Sequence, residues 1–131
     1  MLKGTRVLLV SPQRPAREQT AAVLRDAGAA VREAGSAQVA LLLLQDEPAD
    51  LMVADLVLPD VDGYSLIEAV RRLREVRIAA IPAVALSDHA TDAERQRALV
   101  SGYQLHMMRP VDPKGLALTL AGLRRVAAPA G

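Results

Sequence analysis

The feature that most constrains this chain is a rhythm. Short apolar runs alternate with longer segments in which apolar residues recur every three or four positions. The runs are Val7 to Val10, Ala30 to Arg32, Leu51 to Ala54, Ala83 to Leu86 and Leu105 to Met108, all of strand length and bounded by Gly, Pro, Ser or Asp. Between them, Thr20, Val23, Leu24 and Ala27 fall on one helix face, with Gly28 placed to end that helix. Ser36 is placed to cap a second helix carrying Val39, Leu42 and Leu43, which stops before Pro48. Leu66, Ile67, Val70 and Leu73 stripe a third, whose other side carries Arg71, Arg72, Arg74 and Glu75. Thr91 or Asp92 opens a fourth, polar helix that ends at Gly102. Asp112 followed by Pro113 opens a fifth, striped by Leu116, Leu120 and Leu123.

Strands with no polar face, interleaved with helices, predict an α/β fold in which a doubly wound parallel sheet is covered on both sides. The 131 residues suit one domain, expected over 1–126, with 127–131 as a tail or linker. Sixteen basic against fifteen acidic residues leave a net charge of +1, so the overall balance calls for neither nucleic acid nor an anionic membrane. The absence of Cys excludes disulfides and thiolate chemistry and fits a reducing, cytoplasmic setting. No apolar run is long enough for membrane insertion; Leu41 to Leu44 is far too short. Two Tyr, with no Phe or Trp, offer few surfaces on which a flavin or a single strand could stack.

In parallel sheets of this kind, chemistry gathers at the carboxyl ends of the strands, which directs attention to Ser11, Asp55, Ser87 and Arg109. Asp55 is the telling one, a carboxylate at the mouth of an oily strand. Ser11-Pro12-Gln13-Arg14-Pro15 has no glycines to cradle phosphate, which argues against a nucleotide-binding loop or an electron carrier. Ser87-Asp88-His89 resembles a triad on paper, but neighbours on one loop do not converge on one another, so an independent enzyme is not expected. Asp60 and Asp62 read as turn formers before Gly63, His106 as a half-buried packing residue, and Met107 and Met108 as core and edge filler. Arg71, Arg72, Arg74 and Arg77 read as a solvated helix face, and Asp92 and Glu94 as complements to a helix dipole.

The ordered set Asp55-x-x-x-Pro59-x-x-Asp62-Gly63, then Ile81-Pro-Ala-Val-Ala-Leu-Ser87, then Gly102 and Arg109-Pro110-Val-Asp-Pro113, resembles the receiver domain of two-component response regulators and hybrid histidine kinases. It runs from Thr5 to about Val126. The resemblance implies a flavodoxin-like three-layer sandwich with strand order 2-1-3-4-5 and a part in phosphorelay signalling. It also implies that Asp55 stands at the phosphoacceptor position and that Ser87 holds a phosphoryl oxygen. Arg109 replaces the family's Lys, Ser87 and His106 stand at the switch positions, and Asp55 and the Val57 backbone carbonyl face a metal.

The departures carry weight. Ser11 and Pro12 replace the family's two acids, so Mg2+ is expected to be weakly held or absent. Losing a metal-binding carboxylate is expected to slow transfer by on the order of a thousandfold or more. Arg109, able to grip a carboxylate through two parallel hydrogen bonds, is expected to clamp Asp55 in place of the ion. The expected function is therefore a receiver domain that signals by protein contacts with weak or no phosphorylation at Asp55. The alternative is a functional Asp55 phosphoacceptor with slow or atypical metal dependence. Expected partners are a histidine kinase or phosphotransfer protein, a downstream effector, or both. The surface of the fourth helix, fifth strand and fifth helix is the expected contact face and a candidate homodimer surface.

Overall fold

The computed structural model describes residues 1–127. A parallel sheet of five strands forms from β1 (Arg6–Val10), β2 (Ala30–Ala34), β3 (Leu51–Asp55), β4 (Ala83–Ser87) and β5 (Leu105–Met108), in the order β2-β1-β3-β4-β5. This is the predicted order. Helices α1 (Arg14–Asp26), α2 (Ala37–Asp46), α3 (Gly63–Arg71), α4 (Val76–Ala79), α5 (Asp92–Ser101) and α6 (Pro113–Ala127) follow in the connections and after the last strand. The tail expected at 127–131 lies, from residue 128 onward, outside the described residues.

Alternation along the strands divides the core in two. Leu8, Val10, Met52, Ala54, Ala83 and Ala85 point to one face, where Ala40 and Leu44 of α2, Leu66, Ile67 and Val70 of α3, and Ala98 of α5 cover them. Val7, Leu9, Leu51, Val53, Val84 and Leu86 point to the other, beneath Ala21 and Leu24 of α1 and Leu116, Ala117 and Leu120 of α6. Every residue of β3 and β4 is buried. The expectation that no strand has a wet face holds there and fails at the edges, because β2 and β5 each lack a neighbour on one side and keep exposed residues.

Three further expectations are corrected. The stripe assigned to α2 holds at Leu43, which is partly buried against the core, and fails elsewhere: Val39 is 42% and Leu42 61% exposed, while Ala37, Ala40 and Leu44 pack inward. A helix apolar nearly all round gives no periodic signal, and small alanines let it sit close to the sheet. The third predicted helix stops at Arg71, and a separate turn, α4, carries Arg77. Arg71 is not part of a solvated face. Its guanidinium donates to the carbonyls of Ala79 (2.8 Å), Ile81 (2.6 Å) and Gly102 (2.6 Å), joining α3, the approach to β4 and the end of α5. Three carbonyl acceptors fit the planar guanidinium fork, which is why a cation is tolerated half-buried there.

The turn after β3 is built by two aspartates rather than merely furnished with them. Asp62 caps α3 by accepting from Ser65 N at 2.7 Å. Asp60 reaches across to α2 and accepts from Ala37 N (3.0 Å) and Gln38 N (2.8 Å), beside the Ser36 cap on Val39 N (3.2 Å). Together they satisfy three of the four free N–H groups that any helix presents at its start. Gly63 is required by proximity: a Cβ there would lie 2.5 Å from the Asp55 carbonyl oxygen and 2.7 Å from Leu56 Cα.

Gly63→Ala is expected to destabilise by about 1 to 3 kcal/mol, because backbone cannot yield as a side chain would. Urea denaturation measures it. Asp60→Ala is expected to lower the melting temperature at pH 7 and to flatten its fall in acid. The backbone donors hold the Asp60 carboxyl below its ordinary range, so its contribution is present above the unfolded value and lost as pH drops through the folded one.

Candidate functional site

The parallel register sets four polar residues at one end of the sheet. Val10 lies beside Ala54, Asp55 beside Leu86, and Ser87 beside Met108, so Ser11, Asp55, Ser87 and Arg109 emerge from adjacent strand ends. Ser11 N to Ala34 O (2.9 Å), Leu56 N to Leu86 O (2.9 Å) and Arg109 N to Ser87 O (2.8 Å) carry the ladder through the strand ends. Ser11, Asp55 and Ser87 are 7%, 5% and 6% exposed, and with Thr5 they are the buried polar residues among those described. With Pro12, Gln13, Ala16, Val57, Asp88 and Arg109 they line a cavity of about 380 Å³.

Within it, Ser11 Oγ donates to Asp55 Oδ2 at 3.1 Å. Arg109 Nη2 donates to Asp55 Oδ1, forming an ion pair in which the guanidinium remains about a third exposed. The two parallel bonds expected onto Asp55 are not what forms. The fork divides, and Nη1 donates to Asp88 Oδ1 at 3.3 Å. Asp88 was not singled out from the sequence for this role. Its one signal was adjacency to Ser87. Arg17, also missed, donates to the Ser11 carbonyl at 2.8 Å and pairs with Glu33, which fixes the loop that carries Ser11.

Burial pushes the Asp55 carboxyl above the ordinary aspartate range. The Arg109 charge and the Ser11 hydrogen bond pull it down again, and Asp88 adds to the rise. The donors present are a poor match for Mg2+, which is retained by carboxylates together with phosphate oxygens. Asp55 and the exposed Asp88 are the two carboxylates of the lining, both already engaged by the Arg109 guanidinium, while Ser11 offers a hydroxyl and exposed Pro12 no side-chain ligand. Val57 lines the cavity and is 77% exposed. Among the described residues no group of three or more His, Cys, Asp or Glu is gathered as for a metal.

Ser87 turns away from Asp55. Its Oγ donates to the His89 carbonyl and lies 2.5 Å from His106 Nε2. His106 Nδ1 is buried without a partner, and burial, with Arg95 adding, holds the ring's pKa below the ordinary value. His106 is half-buried as expected and, beyond packing, couples β5 to the end of β4. Tyr103 donates to the Gly63 carbonyl at 2.7 Å and so supports the turn behind Asp55.

A doubly wound sheet with a carboxylate, a hydroxyl and a cation at the ends of its third, fourth and fifth strands defines a class of signalling domain. Residues 7–121 match the profile of the response regulator receiver domain, and the chain belongs to that family. It is 38% identical over 107 residues to the "Uncharacterized 14.6 kDa protein in sodA1 3'region" of Leptolyngbya boryana, covering 82% of this chain and 80% of that one. The sensor histidine kinase GacS of Pseudomonas protegens is 34% identical over 96 residues, which are 72% of this chain and 10% of the kinase. A putative response regulator from Chloroflexus aurantiacus superimposes with a TM-score of 0.86 at 25% identity, covering 94% of this chain and 99% of its own. The protein is a receiver domain of two-component signalling, a family that uses Mg2+ and works with histidine kinases, phosphotransfer proteins and effectors. No helix among the described residues is long and apolar enough to cross a membrane.

Asp55→Asn is expected to match or exceed the wild-type stability at pH 7. A raised carboxyl favours the folded state below its unfolded value of about 3.9, and that contribution is lost as pH rises through the folded value. The neutral amide escapes the loss, so the advantage of the variant grows with pH. Urea melts from pH 4 to 8 read this directly; a loss of about 3 kcal/mol at pH 7, the usual cost of stranding one partner of a buried pair, would reverse the balance.

Proposed function

We propose that this receiver domain signals through protein contacts, with phosphorylation at Asp55 weak or absent because Arg109 takes the place that Mg2+ holds in its relatives. The observation that carries the reading is the ion pair between Arg109 and Asp55 in a mouth where Ser11 and Pro12 stand for two acids. A dense phosphoryl charge beside a carboxylate needs a divalent cation to bridge and neutralise both. A single guanidinium, shared between Asp55 and Asp88, supplies one charge to two acids already present. The domain then acts as a binding module rather than as an enzyme.

Contact with a partner is best supported on the surface of α5, β5 and α6. Leu99 (50% exposed), Val100 (77%), Leu105 (38%), Met108 (51%) and Leu118 (60%) lie on these elements and offer apolar surface to a partner. An effector is the favoured occupant, and a second copy of the chain competes for the same face.

One observation favours slow phosphorylation as a second reading: Ser87 and Arg109 line the same cavity as Asp55, so a hydroxyl and a cation stand ready for phosphoryl oxygens once Ser87 Oγ leaves His89. Incubation with acetyl phosphate or phosphoramidate and Mg2+, followed by intact mass, separates the two. No gain is expected in the wild type. A gain of one phosphoryl group that Asp55→Asn abolishes would establish the second reading. Restoring the family's donors with Ser11→Asp, Pro12→Asp and Arg109→Lys together is expected to raise the labelling rate by on the order of a thousandfold. An unchanged rate in a folded triple variant would show that the missing acids are not the limit.

A further inference from the structure

At the opposite end of the sheet from Asp55, three arginines from three different elements surround one concavity. Arg6 opens β1, Arg77 lies on α4 and Arg124 on α6, and with Pro48, Ala49, Asp50, Ala80, Ile81 and Pro82 they line a cavity of about 420 Å³. Asp50 is the acid of the lining, with its side chain 12% exposed. It accepts from the Arg6 backbone N–H at 2.7 Å, from Arg6 Nε at 3.4 Å and from Arg6 Nη2 at 3.4 Å. Arg124 Nη2 stands 3.5 Å from Asp50 Oδ1, the oxygen that also meets Arg6 Nη2.

These long contacts orient two guanidinium groups without saturating them, since each has five donors and the side chains remain 43% and 40% exposed. Arg77 makes no ion pair among the described residues. Three cations thus face one carboxylate inside the lining, although the whole chain carries a net charge of only +1. Glu47 adds a weaker negative field at Arg6 from outside the lining. Like charges gathered in one lining repel one another, and an anion that accepts from more than one fork offsets that repulsion.

We infer that this concavity binds a phosphate-bearing small molecule, with Arg6, Arg77 and Arg124 as its ligands and Asp50 as the group that aims two of them. Phosphate suits it because planar forks grip its oxygens pairwise and because a dianion matches the local surplus. The wall of Pro48, Ala49, Ala80, Ile81 and Pro82 gives an apolar ledge to any uncharged part of the ligand. Asp50 precedes β3 and Asp55 ends it, separated by roughly 17 Å of extended strand, so occupation of this site leaves the Asp55 mouth free.

The test is calorimetric titration of the full chain with sodium pyrophosphate and, separately, with adenosine diphosphate, at low ionic strength with chloride as the matched control. Amide shifts are followed by NMR in the same samples. Saturable binding of at least one probe with Kd below about 1 mM is expected, with shifts at Arg6, Asp50, Arg77, Ile81 and Arg124. Equal affinity for both probes identifies a site for bare phosphate; tighter binding of the nucleotide identifies use of the ledge. Arg77→Gln and Arg124→Gln are each expected to weaken binding by about tenfold, and Arg14→Gln, on an exposed pair with Glu18, to leave it unchanged. Circular dichroism verifies folding, and Arg77→Gln decides the matter if Arg124→Gln unfolds. Absence of saturable binding of either probe, shifts confined to other regions, or equal loss in Arg14→Gln and Arg77→Gln overturns the inference.

Discussion

A carboxylate held almost out of water at the end of an apolar strand must be met by a cation or by a proton, and the top of this molecule is arranged around that requirement. β3 is buried along its whole length, so the chain cannot turn Asp55 outward without unpacking the centre of the sheet. Arg109 answers it from the end of β5, two strands away in the sheet. The distance in sequence is long, yet the parallel register makes it short in space. Desolvation and the guanidinium pull Asp55 in opposite directions, and the division of Arg109 between Asp55 and Asp88 keeps the pair from closing into a fully satisfied bridge.

The same geometry explains why the loops, rather than the sheet, decide what the domain does. The strands deliver polar residues to one end whatever those residues are. Ser11 and Pro12 stand on the loop after β1, where the Ser11 backbone N–H, not its side chain, continues the ladder onto Ala34. The turn after β3 is more constrained: Asp62 caps α3, Asp60 caps α2, and Gly63 passes against the Asp55 carbonyl. That turn belongs to stability and to the position of Asp55 at once, which ties local helix capping to the chemistry of the mouth.

Much of this was legible from residues in a row. Apolar runs of four or five, helix stops at Gly28 and Gly102, and the Asp112-Pro113 start gave five strands and their helices in the right places. Ser11, Asp55, Ser87 and Arg109 were identified at the strand ends and are gathered there. The errors have common causes. Leu42 and Val39 were placed inward because α2 is apolar nearly all round, and only packing shows that its alanines face the sheet. Arg71 was placed outward because charge usually means solvent, but three carbonyls outside its own helix accept from it.

What the one-dimensional chain determined is what repeats along it: strand and helix periods, the class of sheet they demand, and the residue types delivered to its carboxyl end. Only the folded molecule decided who meets whom: that Arg109 is shared with Asp88, that Ser87 turns to His89 and His106, that Asp60 serves a helix 22 to 23 residues away, and that three arginines converge at the far end. The reason is physical. Periodicity is a property of local backbone geometry and can be read from neighbours, whereas hydrogen bonds and ion pairs fall off within a few ångströms and exist only between groups that long-range packing has brought into contact.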